Sequence, residues 1–304
     1  MNAPQRRVLV IKLGALGDFV QAMGPFAAIR AHHRDAHITL LTTRPYAELA
    51  RRSPWFDAVW MDERPRVWRP DAILALRRRL REGKFERIYD LQTSDRSSWY
   101  FRLLGPEPRP EWSGIARGCS HPHANPRRDF LHTLERQAEQ LRMAGIEAVP
   151  APDLGWCAGE ANEGISSPYV LLVPGGAPHR PDKRWPAAAY AELARQLHSG
   201  GITPVWVGTG RDRVAGGDGV DLFDRTSLFD IISLARRAAG AVGNDTGPMH
   251  LIAASGCASI VLYAHASDPA LCGQRGAKVT IVRRPSLESL SADEVLGLVL
   301  AGVP

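Results

Sequence analysis

Twice along this chain an apolar, β-branched run ends in a glycine turn and feeds a helical stretch, at residues 7–12 and again at residues 169–173. Such a run is a buried parallel strand, because the crossover helix that follows must lie on the sheet face. In the first, Val8, Leu9, Val10 and Ile11 lead into Gly14-Ala-Leu-Gly17, and Phe19, Ala22, Phe26 and Ile29 then carry a helix over residues 18–32. Further strands are expected at 37–42, 57–60 and 87–91, the last preceded by a basic helix at 71–82. Residues 106–126, with Pro, Gly and His scattered and no apolar period, read as a long loop, and 130–144 recover helical spacing. Pro150, Pro152, Gly155, Gly159, Gly164 and Pro168 then accumulate as in an inter-domain linker.

After that stretch the alternation restarts. Strands are expected at 169–173, 203–207, 239–243, 259–263 and 279–282, with helices at 186–198, 227–238, up to about 256, and 292–300. The fold class is therefore α/β: two domains, 1–155 and 156–304, each an open, mostly parallel sheet with helices on both faces. A chain of 304 residues can bury two cores, and 44% hydrophobic with 23% charged residues is a soluble globular composition. No apolar run approaches the roughly 18 residues of a membrane span, and the apolar part of the N-terminus is too short for a secretion signal. The expected location is the cytoplasm. Cys119, Cys157, Cys257 and Cys272 are widely spaced, which argues against a zinc site or a disulfide framework.

The net charge of +6 is concentrated early, in Arg64, Arg66, Arg69, Arg77, Arg78, Arg79, Arg81 and Lys84. A basic first half suits phosphate-bearing acceptors, an anionic membrane face or nucleic acid, or is simply a solvated helix face. No nucleic-acid-binding module accompanies it.

Three glycine-bearing turns sit between a strand and a helix, where open α/β sheets bind ligands. The first, Lys12-Leu-Gly14-Ala-Leu-Gly17-Asp18, is neither a dinucleotide fingerprint nor a phosphate loop. Asp18 is placed either to cap the following helix or to act as a general base. The second, Pro174-Gly175-Gly176 followed by Lys183-Arg184-Trp185-Pro186, offers either two solvated bases or cations for a diphosphate leaving group. The third, Gly243-Asn-Asp245-Thr246-Gly247-Pro248-Met-His250, opens a helix at Thr246 or Gly247 with Pro248 in the first position. Unpaired amides there make an anion site, and an acid, a hydroxyl and a histidine exceed what capping needs.

These segments, with Tyr89-Asp90-Leu91-Gln92, Thr226-Ser-Leu and Ser267-Asp-Pro269, resemble the family 9 glycosyltransferases, the ADP-heptose:lipopolysaccharide heptosyltransferase group, over nearly the whole chain. The resemblance implies twin Rossmann domains in the GT-B arrangement, with the acceptor on the first and the nucleotide sugar on the second. It implies inverting transfer of a heptose or related sugar from an ADP-linked donor to a lipopolysaccharide-core-type or other glycan acceptor. Asp18 would be the base and Lys183 would neutralise the departing diphosphate. Gly14, Gly17, Gly175, Gly176, Arg184, Thr246 and Gly247 would line the donor site. Asp245 would orient the sugar or Lys183, and His250 would buttress them. The scheme requires no metal and no cofactor beyond the nucleotide sugar. Its partners would be a glycan or glycolipid acceptor and an anionic membrane face, with no nucleic acid. A longer acidic helix that the family often carries is shortened here around Gly208-Thr-Gly210, leaving Asp212 as the candidate ribose carboxylate. A nucleotide-sugar epimerase of the same architecture and a non-catalytic nucleotide-sugar-binding protein are the competing readings. A dehydrogenase lacks its fingerprint glycines.

Overall fold

The computed structural model describes residues 5–66, 68–106, 108–157, 164–176 and 180–302. The chain divides into two compact units, Met1–Pro152 and Asp153–Pro304, three residues before the expected boundary. Residues beyond Pro152 go with the second unit because the Arg236 guanidinium donates to the carbonyls of Leu154 and Cys157. Gly159 of the expected linker and residues 177–179 of the second turn lie outside the described residues.

The first unit is a sheet of β1 (Arg7–Ile11), β2 (His37–Thr42), β3 (Ala58–Met61), β4 (Arg87–Asp90), β5 (Glu111–Gly114) and β6 (His121–Pro122). The strand order is β3-β2-β1-β4-β5-β6, and every pairing is parallel. The helices are α1 (Leu16–Gln21), α2 (Met23–His32), α3 (Arg44–Arg52), α4 (Pro70–Glu82), α5 (Asp95–Leu103) and α6 (Thr133–Met143). Leu9, Ile11, Ile88, Tyr100 and Trp112 fill the core between sheet and helices.

Two expectations are corrected here. Residues 106–126 are not a loop throughout, since β5 and β6 lie inside them. Strands of four and two residues are too short to print a period, and β5 is held by its register with β4, Arg87 beside Glu111 and Tyr89 beside Ser113. The helix expected over 18–32 is two helices that meet at Ala22. Pro25 has no N–H to give the carbonyl four residues back, so one continuous helix cannot pass through.

The second unit repeats the plan. Its sheet is β7 (Tyr169–Val173), β8 (Thr203–Trp206), β9 (Val220–Asp221), β10 (Gly240–Asn244), β11 (Ser259–Tyr263) and β12 (Val279–Arg283). The order β12-β11-β10-β7-β8-β9, all parallel, is that of the first unit read from the other edge. The two-residue β9 was not anticipated from the sequence. The helices are α7 (Ala187–Ser199), α8 (Leu228–Arg237), α9 (Gly247–Ala254), α10 (Pro269–Cys272) and α11 (Ala292–Gly302). Trp185, Tyr190, Leu193 and Leu197 pack with Leu172, Val242 and Leu262, and Val295 and Val299 of α11 join the same core. No described helix is long and apolar enough to cross a membrane.

In both sheets the chain order reverses beside the first strand, between β1 and β4 and between β7 and β10. Connections leaving such neighbours go to opposite faces, which opens a crevice at the strands' carboxyl ends. A buried or half-buried amide side chain spans each. Gln92 Oε1 accepts the Leu13 N–H at 2.8 Å, and Asn244 Nδ2 donates to the carbonyls of Pro174 at 2.9 Å and Gly175 at 3.1 Å.

Close packing fixes one glycine at the second crevice. A Cβ on Gly243 would stand 2.6 Å from Met249 Sδ and 2.9 Å from Val173 Cβ. Gly243→Ala is expected to lower the stability of the second unit by about 1–3 kcal/mol, read from the urea unfolding midpoint. An unchanged midpoint would contradict this packing.

Candidate functional site

At the first crevice the chain leaves β1 through Lys12, Leu13 and Gly14. Gly14 has φ +126°, and a Cβ there would lie 2.7 Å from the Tyr46 ring, so both backbone and space demand glycine. The Leu13 carbonyl accepts from Thr43 Oγ1 and Arg64 Nη2, each at 3.0 Å. With Gln92 on its amide, Leu13 is held from three elements. Asp18 is the third residue of α1 and half-buried, and its Oδ2 accepts the Ala15 N–H at 3.3 Å. Among the described residues this is the one hydrogen bond of the Asp18 carboxylate.

Beneath the turn lie two buried charges. Lys12 Nζ donates to the Leu91 carbonyl at 3.1 Å, and burial lowers the ammonium's pKa, with the Asp18 charge the strongest influence opposing that. Asp90 Oδ1 accepts the amides of Gln92 and Thr93, while Oδ2 is buried with no partner among the described residues. Burial pushes the Asp90 carboxyl up to about 6 despite those hydrogen bonds.

At the second crevice, Lys183 and Asp245 come together from distant parts of the chain. Lys183 Nζ lies 2.9 Å from Asp245 Oδ2 and 3.0 Å from Ser267 Oγ, and Ser267 Oγ donates to the same Oδ2 at 2.6 Å. The Tyr263 hydroxyl is 3.0 Å from Asp245 Oδ1 and 2.8 Å from Gln274 Oε1, its one proton serving one of them. The Lys183 and Asp245 side chains are 14% and 9% exposed. Burial alone would raise the Asp245 carboxyl, but hydrogen bonds from Ser267 and Lys183 hold it below the usual carboxylate range. Burial and the neighbouring Asp245 charge push the Tyr263 phenol up, so it stays a neutral donor.

Next to this pair α9 begins. Thr246 is its N-cap residue and Gly247 its first residue, so Pro248 is second rather than first. Thr246 Oγ1 is buried, makes no capping bond and has no partner among the described residues. The first amides of the helix have no intrahelical acceptor, so a hydroxyl and amides converge where the macrodipole is positive. His250 is buried one turn further along.

The remaining expected residues gather beside it. Arg184 Nη2 donates to the Gly176 carbonyl at 2.5 Å and stands 3.3 Å from Asp212 Oδ1, whose Oδ2 accepts the Thr209 hydroxyl at 2.7 Å. A Cβ on Gly175 would lie 3.1 Å from Asp212 Oδ2. Gly176, Arg184, Thr209 and Asp212 line a cavity of about 850 Å³. Of the expected donor residues, Gly14 and Gly17 belong to the first unit with Asp18, and the rest belong to the second unit. Lys12, Tyr46, Tyr263 and Gln274 were not anticipated. Tyr263 was reachable from strand register, because Asn244 pairs with Leu262 and the next residues on both strands are Asp245 and Tyr263. Gln274 carries no sequence signal.

Two all-parallel sheets with the same strand order, each covered by helices, define a twin α/β fold of the GT-B type. The sequence profile of "Glycosyltransferase family 9 (heptosyltransferase)" matches residues 73–295, and the chain belongs to this family of glycosyltransferases. It is 26% identical to "Lipopolysaccharide heptosyltransferase 2" of Escherichia coli (strain K12) over 292 residues, covering 86% of this chain and 83% of that one. The structure of E. coli ADP-heptose lps heptosyltransferase II superposes with a TM-score of 0.78 at 23% identity, covering 98% of each chain. E. coli heptosyltransferase WaaC with ADP gives 0.77 at 20% identity, covering 97% of this chain and 99% of that one. The family does not favour the epimerase reading.

Asp90 makes a prediction about pH. Between about pH 4, where an unfolded aspartate ionises, and about pH 6, the folded unit keeps a proton that the unfolded chain releases. Stability therefore falls as pH rises across that window and levels off above it, by about 3 kcal/mol in all. Asp90→Asn keeps an acceptor for Gln92 and Thr93 and should flatten this fall in urea titrations. An equal fall in the variant would assign it elsewhere.

Proposed function

We propose that this glycosyltransferase transfers a heptose, with inversion, from an ADP-linked donor to a hydroxyl of a lipopolysaccharide-core-type acceptor. The observation that carries the reading is the buried Lys183–Asp245 pair beside the unpartnered Thr246 hydroxyl at the start of α9. A diphosphate is the ligand such a group recognises. It takes hydrogen bonds from backbone amides and a hydroxyl, and an ammonium can move from one carboxylate oxygen to a phosphate oxygen close by. The similar structures, an ADP-heptose heptosyltransferase and a heptosyltransferase with ADP, support the same donor.

In this reading the second unit holds the donor and the first unit holds the acceptor and the base. Asp18 takes the proton of the acceptor hydroxyl as its oxygen forms a bond to the anomeric carbon. The bond from that carbon to the β-phosphate breaks from the opposite face, so the configuration inverts. The electron pair leaves on the diphosphate, where Lys183 and the α9 amides offset the growing charge. Asp245 keeps Lys183 in place between turnovers, and Tyr263 and Ser267 keep Asp245 in place. Arg184 and Asp212 lie on the flank of the cavity for the rest of the nucleotide. A cytoplasmic location, peripheral at the membrane face, follows from the nature of such an acceptor.

Calorimetry tests the donor: ADP should bind more tightly than UDP or GDP, and a preference for either of the others would overturn the ADP assignment. Asp18→Asn should retain ADP affinity and lose about 100- to 10,000-fold in turnover, as removal of a general base does. Full activity in that variant would reduce Asp18 to its contact with Ala15, and a wild-type protein that binds ADP without turnover would support the non-catalytic reading. Lys183→Ala should weaken ADP by about tenfold or more, the worth of a charge-assisted hydrogen bond. Unchanged ADP affinity in a folded Lys183→Ala protein would remove Lys183 from the donor site.

A further inference from the structure

We propose that the loop following β3 and the outer face of α4 form a docking surface for an anionic lipid bilayer. Residues 63–82 carry seven arginines against three carboxylates, a net +4 of the chain's +6. Within that segment Trp68 is 67% exposed and Leu74 is 59% exposed, while Leu76 and Leu80 point inward to the core. The Arg66 guanidinium lies 5.2 Å from the centre of the Trp68 ring. An indole and an aliphatic side chain beside fixed cations combine the two attractions that hold a protein at a charged membrane face.

The arginines are not equivalent. Arg77 Nε and Arg81 Nη1 donate to the carbonyls of Leu103 and Leu104, which end α5, and Arg79 lies 4.3 Å from the Trp60 ring centre. A carbonyl or a ring does not cancel a guanidinium's charge, so these contacts fix positive charge at the surface. Asp71 is offset by Nε and Nη2 of Arg69, at 3.1 and 2.9 Å. Arg78 pairs with Glu82 at 3.9 Å, its one ion pair among the described residues. A groove of about 590 Å³ is lined by Leu74, Ala75, Arg77, Arg78 and Arg81, with the carboxylates of Asp71 and Glu82.

The same loop reaches the chemistry. Arg64, four residues before Trp68, donates to the Leu13 carbonyl at 3.0 Å and so grips the turn that carries Asp18. A bilayer seated on Trp68 and Leu74 would thus bring a membrane-borne acceptor to the side of the first unit that holds the base. That last step rests on the acceptor being a glycolipid, whereas the docking itself does not.

The test is flotation of the full-length protein with vesicles of phosphatidylcholine alone and with phosphatidylglycerol added, at about 0.1 M and about 0.5 M salt. Binding is expected only to the anionic vesicles and should weaken at the higher salt. Trp68→Ser with Leu74→Ser should reduce that binding at least about tenfold, the loss of two apolar anchors, and leave calorimetric ADP affinity unchanged. No binding to anionic vesicles would overturn the proposal. So would salt-sensitive binding that ignores the double substitution, since that identifies a contact with any soluble polyanion. ADP affinity in the same preparations separates the two ideas: wild-type protein that floats yet binds no ADP would sink the transferase reading alone.

Discussion

In each unit the first strand lies between the second and the fourth, and much else in the structure follows from that order. Neighbouring loops must part at this point, and the backbone groups left there have no strand partner. The chain closes each gap with one amide. Asn244 is fully buried and uses both ends: Nδ2 bonds the carbonyls after β7, and Oδ1 accepts from the Trp185 amide at 3.0 Å and the Tyr190 hydroxyl at 3.3 Å. From the position just before Asp245, one side chain thereby fixes the glycine turn and the approach to α7. Gln92 performs the simpler version in the first unit, holding Leu13 one residue before Gly14.

The charges at these crevices are costly to bury and persist because each is anchored. Removing one partner of a buried ion pair costs about 3–5 kcal/mol, since the survivor is left uncompensated. Asp245 is secured by three further neighbours, Ser267, Tyr263 and Gln274, so it survives the departure of Lys183 better than a bare carboxylate would. That redundancy is what a transferable ammonium needs. In the first unit Lys12 and Asp90 do not touch through a direct hydrogen bond, and each is displaced from its ordinary ionisation by burial. Lys12 lies within electrostatic reach of Asp18 and, among the described residues, makes no hydrogen bond to its carboxylate.

Most of this was legible where residues repeat with a period or cluster in a turn. The apolar runs at 7–12 and 169–173, the glycines after them and the Asp245-Thr246-Gly247 start of a helix each announce a local structure. Elements too short to show a period stayed hidden: β5 and β6 are held by their neighbours, and β9 is two residues at an edge. The break at Ala22 was encoded in Pro25, but the apolar spacing across it is continuous enough to mask the missing donor. Side chains that act through another residue were the hardest to see. Tyr263 and Gln274 become meaningful only once β10 and β11 are set in register, and the contacts of the α4 arginines only once α5 and Trp60 are in place.

The central claim is that the second unit's crevice is a diphosphate site in which Lys183 changes partner. A crystal structure of the protein with ADP tests it directly. The account predicts phosphate oxygens within hydrogen-bond distance of Lys183 Nζ and of the α9 N-terminal amides, with Asp245 still held by Tyr263 and Ser267. A diphosphate bound elsewhere, with Lys183 remaining on Asp245, would contradict it.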